Sequence, residues 1–319
     1  MSEDGSTTYT IPQIMMTLAA ISYADPASGI PAYLGERGLA TQGQWQLVWG
    51  PGESETNLMY VTYNQARNSY AVAIRGTYPH FDLTMLLDVY DDLDVGNQLE
   101  WQDPPVPGAL VAAGALSGLD DLASLAWGGQ TLLEFLEARL AEAGGDLWVT
   151  GHSLGGCLTT VLAPWLRSQL GGAAAINTCT FAAPTAGNQV FAEMYDQLFP
   201  SSARFWNSLD VVPNAWADLE QIEQLFPEPG PPCPLVLQDV VELIEDWLAD
   251  ADDVSYSQTN GAGTCLDGSC GGSDDWFAEA SDQHGHNTYL ALLGAPTLDF
   301  VTQTVKVRRN KSAAASQVA

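Results

Sequence analysis

Basic side chains are scarce in this sequence: 10 Lys and Arg stand against 39 Asp and Glu in 319 residues, a formal net charge of −29. So acidic a surface repels phosphate backbones and anionic headgroups, which argues against nucleic acid as a partner. It also repels itself unless salt screens it, so a saline or halophilic setting is expected. Lys306, Arg308, Arg309 and Lys311 lie near the C-terminal end and read as a flexible basic tail over 306–319. Cysteine is sparse too. Five cysteines are too few for a disulfide scaffold, and an odd number leaves one thiol unpaired within the chain. Cys157 and Cys179 sit in apolar runs and read as core, Cys233 has no evident mate, and Cys265 and Cys270 bracket "CLDGSC", which could close a small ring. Long apolar runs are missing: no stretch reaches the roughly 18 residues of a membrane span, so no transmembrane anchoring is expected. The apolar "IPQIMMTLAAISYADPA" near the start lacks the basic leader of a signal peptide and reads as a first helix.

What is present is enough to build a large core. With 46% hydrophobic and 9% aromatic residues, the chain reads as one domain over 1–305 carrying an insertion at about 217–282. "QWQLVWG", "NLMYVTYN" and "SYAVAIRGT" are strand-like and separated by turn-rich "PGESET" and "NQARN". The leucines between Leu119 and Leu140 recur at helical spacing, with a break at "WGG". "DLWVT", "INTCTFAAP" and "SARFWNSLD" are further strands, alternating with helical runs after Gly155 and around "NQVFAEMYDQLF". That alternation predicts an α/β fold whose mostly parallel central sheet is flanked by helices. The insertion differs in character. It joins the proline-rich "FPEPGPPCP" to an acidic amphipathic helix, "LVLQDVVELIEDWLADA", and then to "NGAGTCLDGSCGGSDD". The acids of that last loop lack the regular ligand spacing of a calcium site and read as solvated, so no metal is expected.

The stretch "LWVTGHSLGG" carries the chemistry. Gly151 and Gly155 bracket Ser153 between a predicted strand and a predicted helix, the context in which Gly-x-Ser-x-Gly exposes a nucleophile at a tight turn. A serine needs a base to take its proton and a carboxylate to orient that base. In α/β hydrolases these follow in the order serine, acid, histidine. Four histidines are available. His80 precedes the serine and His152 lies inside the turn, leaving His284 and His286 of "DQHGHNTYL". Asp210, just past the strand in "FWNSLDVVPN", is the candidate acid.

Taken together and in this order, "AIRGTYP", "VTGHSLGG", "FAAPTAGN", "RFWNSLDVVP" and "HNTY" resemble the class 3 lipases, the family of the fungal triacylglycerol lipases, from about Ala20 to Leu290. The resemblance implies an α/β-hydrolase fold and a serine ester hydrolase that needs no cofactor and acts on a lipid or other ester. It implies Ser153 as nucleophile, Asp210 as acid and His286 as base, with Tyr289 as a packing residue of the His-x-x-Tyr pattern. It puts the oxyanion hole on the backbone N–H groups of Leu154 and Thr77, and a lid or acyl wall on the apolar residues Tyr78, Phe81, Leu83 and Leu86. Some positions depart from the family pattern: "VAAGAL" replaces Val-His-x-Gly-Phe, and "APTAGN" lacks the usual arginine. Within the enzyme class the expectation is a triacylglycerol lipase, with phospholipase A1 or a feruloyl-type esterase as alternatives. A catalytically silent binding protein on the same scaffold is the alternative outside it.

Overall fold

Hydrophobic alternation along the central strands determines the layering. In the computed structural model, which describes residues 8–77, 93–250, 254–261 and 263–299, β1 (Gln46–Glu53), β2 (Leu58–Asn64) and β3 (Ser69–Ile74) form an antiparallel meander. Two short pairs follow, β4 (Gln98–Gln102) with β5 (Pro105–Ala112), and β6 (Ala126–Trp127) with β7 (Gln130–Thr131). β8 (Asp146–His152) then pairs parallel with β3, β9 (Ile176–Phe181) with β8, β10 (Ala203–Asn207) with β9 and β11 (Thr264–Leu266) with β10. The main sheet thus has seven strands in the order β1-β2-β3-β8-β9-β10-β11.

All six residues of β3 are buried, as a strand covered on both faces must be. Val72 and Ile74 point into one core with Met59, Val61 and Val149. Ala71 and Ala73 point into the other with Tyr60, Phe181 and Met15. Helix α1 (Ile11–Ile21) covers that second face, begun by Thr10, whose N–H donates to Gln13 Oε1 at 2.8 Å. Its Met15, Met16, Leu18 and Ile21 are fully buried, each stabilising the fold by about 1.5–3 kcal/mol relative to exposure. This is the first helix expected from "IPQIMMTLAAI". A short α2 (Gly29–Leu34) follows.

The predicted break at "WGG" is a helix pair, α3 (Ala113–Ser124) and α4 (Leu132–Ala143), joined through β6 and β7. Gly128 and Gly129 supply φ of 60° and 82° between them. Thr131 caps α4: its N–H donates to Glu134 Oε2 at 2.8 Å. α5 (Leu154–Leu170) lies on the first face with α3 and α4 and contains Pro164. α6 (Gln189–Leu198) follows β9.

Residues 217–282 hold α7 (Glu220–Glu223), α8 (Leu235–Asp250), β11 and most of α9 (Trp276–His284). Leu219, Ile222, Leu237, Val241, Ile244, Trp276 and Ala280 from this stretch join the main core, and β11 extends the main sheet. α10 (His286–Leu292) closes the described chain near α1. All five cysteines are thiols, so Cys265 and Cys270 close no ring. Burial pushes the Cys157 thiol up to about 12, which leaves it an inert core residue. No described helix is long and apolar enough to cross a membrane.

Candidate active site

Ser153 ends β8 and begins α5 with φ 59° and ψ −132°, a backbone region costly for a residue with a side chain. Local bonds hold it there. Its N–H donates to the Phe181 carbonyl at 2.9 Å, and its own carbonyl accepts from the N–H groups of Gly156 and Cys157 at 2.8 and 3.2 Å. The flanking glycines are required by contact: a Cβ on Gly151 would overlap the Gly155 carbonyl, and one on Gly155 would overlap the Ile74 carbonyl of β3. The serine is therefore held at the N-terminus of α5, whose backbone N–H groups and dipole favour negative charge.

The structure brings Ser153 and Asp210 together around His284. Nε2 of His284 lies 2.9 Å from Ser153 Oγ, and Nδ1 lies 2.9 and 3.0 Å from the two Asp210 oxygens. A carboxylate only accepts, so Nδ1 carries the proton and Nε2 is left to accept from the serine hydroxyl. Asp210 is fully buried, and His284 and Ser153 nearly so. The carboxylate is further fixed by the Val212 N–H at 3.0 Å and by the Tyr289 hydroxyl, which donates to Oδ2 at 2.7 Å. Tyr289 in turn accepts the Asn207 N–H at 2.9 Å. The tyrosine expected only to pack is thus a hydrogen-bond partner of the acid, and the contact with Asp210 raises its pKa further beyond the effect of burial.

His286 does not occupy the position expected of the base. α9 ends at His284, Gly285 follows with an extended conformation (φ −58°, ψ 137°), and α10 restarts at His286. That break turns His286 away, and its ring stacks on Tyr23 with centroids 5.4 Å apart and planes at 15°. Burial, aided by the neighbouring His284, pushes its pKa down to about 4, so it is neutral at ordinary pH.

Of the expected oxyanion donors, Leu154 is the first residue of α5, its N–H directly after the nucleophile. Thr77 is exposed and follows Gly76, which lies so close to the turn that a Cβ there would be 3.0 Å from Ser153 Cβ. Tyr78, Phe81, Leu83 and Leu86, and His80 with them, lie outside the described residues. Among the described residues no three or more His, Cys, Asp or Glu side chains converge as metal ligands.

Two features went unread in the sequence. His152, set aside because it cannot fold back onto its neighbour, instead reaches the main chain of His284. A buried polar chain also supports α9: Glu279 accepts from the Gly271 N–H and the Gln283 amide, and Gln283 accepts from Asn207 Nδ2 at 2.7 Å. No local spacing signals either contact. Both join residues distant along the chain.

A serine, a histidine and a carboxylate in hydrogen-bonded series at a strand-to-helix turn of a mostly parallel sheet are the arrangement that α/β hydrolases use for acyl transfer. Residues 71–219, just under half of the chain, match the family model described as Lipase (class 3), a family of carboxylic ester hydrolases. The crystal structure of M37 lipase superposes with a TM-score of 0.77 at 28% identity, covering 90% of this chain and 93% of that one. Lipase II from Rhizopus niveus shares the fold, with a TM-score of 0.51 at 21% identity over 63% of this chain and 72% of that one. A Caenorhabditis elegans lipase is 46% identical over 70 residues, 22% of this chain, so the match spans about a fifth (20%) of that relative.

Proposed function

We propose that this protein hydrolyses carboxylic esters through an acyl-enzyme on Ser153, with His284 as general base and Asp210 orienting it, and that its substrates are triacylglycerols. The observation that carries the reading is the continuous series Ser153 Oγ, His284 Nε2, His284 Nδ1, Asp210, each step at hydrogen-bond distance. Ser153 Oγ attacks the ester carbonyl as its proton passes to His284 Nε2. The tetrahedral oxygen takes up the negative charge, facing the N–H groups of Leu154 and Thr77. Loss of either donor typically costs about 10²–10³-fold in rate. The tetrahedral species collapses by breaking the bond to the alcohol oxygen, which leaves with the proton held on Nε2. Water then repeats the sequence on the acyl-enzyme, and the fatty acid departs as Ser153 regains its proton. The triacylglycerol assignment rests on the match of residues 71–219 to the class 3 lipase model, since the residues expected to form a lid or acyl wall lie outside the described ones.

A serine-reactive phosphonate tests the chemistry: it is expected to label one site per chain, on Ser153, and to abolish ester hydrolysis. Absence of labelling on a folded protein would remove the enzyme reading. A panel of p-nitrophenyl esters then tests the substrate, with activity beyond about ten carbons expected of a lipase and a short-chain optimum counting against it.

A further inference from the structure

The last carbonyls of a helix have no intrahelical partner and must find another. For α9 the last carbonyl belongs to His284 itself, and it accepts from His152 Nε2 at 2.9 Å. Since a carbonyl cannot donate, Nε2 of His152 carries a proton. The opposite nitrogen, Nδ1, lies 3.0 Å from the Tyr23 hydroxyl just beyond α1 and accepts from it. Tyr23, His152 and His284 are all buried. Burial, with the nearby His284 and His286, keeps His152 well below the ordinary imidazole pKa and therefore neutral. The two imidazoles lie 4.9 Å apart between centroids. Gly76 leaves room for this arrangement, because a Cβ there would overlap the Tyr23 hydroxyl and lie 2.5 Å from the His152 carbonyl oxygen.

We propose that His152, held on its opposite nitrogen by the Tyr23 hydroxyl, is a positioning residue that holds the main chain of His284 and so sets the imidazole between Ser153 and Asp210. The nucleophile and the residue before it then have separate tasks. Ser153 meets the ring of His284, and His152 meets its carbonyl. Because α9 ends at His284, its main chain is held there by the preceding helical turn and by this side-chain bond, while Asp210 and Ser153 meet its ring. Loss of the bond loosens the main chain at the helix end and lets the ring drift from its attack geometry. A misplacement of about 1 Å at a reacting group costs on the order of 10²-fold in rate. His152 does not touch Ser153 Oγ, so the loss falls on turnover and spares substrate binding.

The inference rests on the proposed triad, and the test separates the two. Tyr23→Phe, His152→Ala, His152→Gln and Ser153→Ala are made in the full chain. kcat and KM are measured on p-nitrophenyl butyrate and, for the variants that keep Ser153, normalised to sites titrated with the phosphonate, so that only folded enzyme is counted; Ser153→Ala is normalised to total folded protein. His152→Ala is expected to lower kcat about 10–100-fold with KM within about twofold, and Tyr23→Phe to lower it about 3–10-fold. His152→Gln, whose amide can donate to the same carbonyl, is expected to recover most of the loss. A residue needed only for folding would lower the titrated fraction and leave kcat per site unchanged. Wild-type kcat per site in Tyr23→Phe and in the His152 variant that folds would overturn the inference. If Ser153→Ala retains activity, the triad reading itself falls; if Ser153→Ala is inactive while the others match wild type, only the positioning role falls.

Discussion

Replacing the two C-terminal histidines in turn gives the most decisive test of the site. In His284→Ala, Ser153 Oγ loses the acceptor at 2.9 Å, and Asp210 keeps only Tyr289 and the Val212 N–H. Removing the base of such a triad costs about 10⁴–10⁶-fold in turnover. At 1.36 kcal/mol per factor of ten, this is about 5–8 kcal/mol of transition-state stabilisation. His286→Ala loses a ring stacked on Tyr23, so it should cost about 1–3 kcal/mol of stability through lost packing. Its turnover should stay within about fivefold of wild type, because Tyr23, on which its ring stacks, moves no proton in the reaction. The assay is kcat/KM on p-nitrophenyl butyrate, with circular dichroism and thermal melts reporting folding. His284→Gln is included because it offers Asp210 an amide donor if the alanine variant does not fold. The reasoning is refuted if a folded His284 variant keeps more than about 1% of wild-type kcat/KM, or if His286→Ala falls as far as a base deletion should.

Two further outcomes follow from burial and from contact. His286 has a folded pKa of about 4 against 6.5 for a free imidazole, so between those pH values the unfolded chain binds more protons and stability falls as pH drops. The 2.5-unit gap amounts to about 3 kcal/mol, fully lost below pH 4, so urea titrations of wild type and His286→Gln should differ by about that much less at pH 4 than at pH 7; parallel pH dependence would contradict this. Gly155→Ala drives a Cβ into the Ile74 carbonyl, main chain that cannot yield without displacing β3, and should cost about 3 kcal/mol or more. A melting temperature within 2 °C of wild type would show that the turn has slack these contacts deny.

The central layers were legible because their signals are local. "SYAVAI" lies between polar turns and is apolar on both faces, so a doubly covered strand follows from periodicity alone, and β3 is buried at every residue. "WGG" breaks a leucine-rich helical run, and the helix pair divides there. The stretch over 217–282 was harder to read. Its three-residue β11 carries too little alternation to register as a strand, and its pairing with β10 depends on neighbours about sixty residues away. Helix α8 showed its amphipathic spacing plainly, yet spacing does not reveal which core a face joins. Leu237, Val241 and Ile244 join the one already built around β3 and α5.

The site divides along the same line. Ser153 and Asp210 are positioned by elements whose sequence signals are strong, a glycine-bracketed turn and the end of a strand. The histidine depends on a helix end. Four residues in an unbroken helix would carry His286 and Tyr289 together, and that is the geometry a His-x-x-Tyr spacing assumes. That unit is intact in α10, but Gly285 separates it from α9, which stops at His284 one residue before α10 begins. Tyr289 keeps its hold on Asp210 from α10, and the histidine between Asp210 and Ser153 comes from α9. A one-residue interruption between two helices thus exchanged the roles of two histidines. The side chains that stabilise the exchange, His152 beneath the carbonyl of His284 and Tyr23 beneath His152, come from the nucleophile turn and the first helix, more than a hundred residues away along the chain. A spacing rule sees neither.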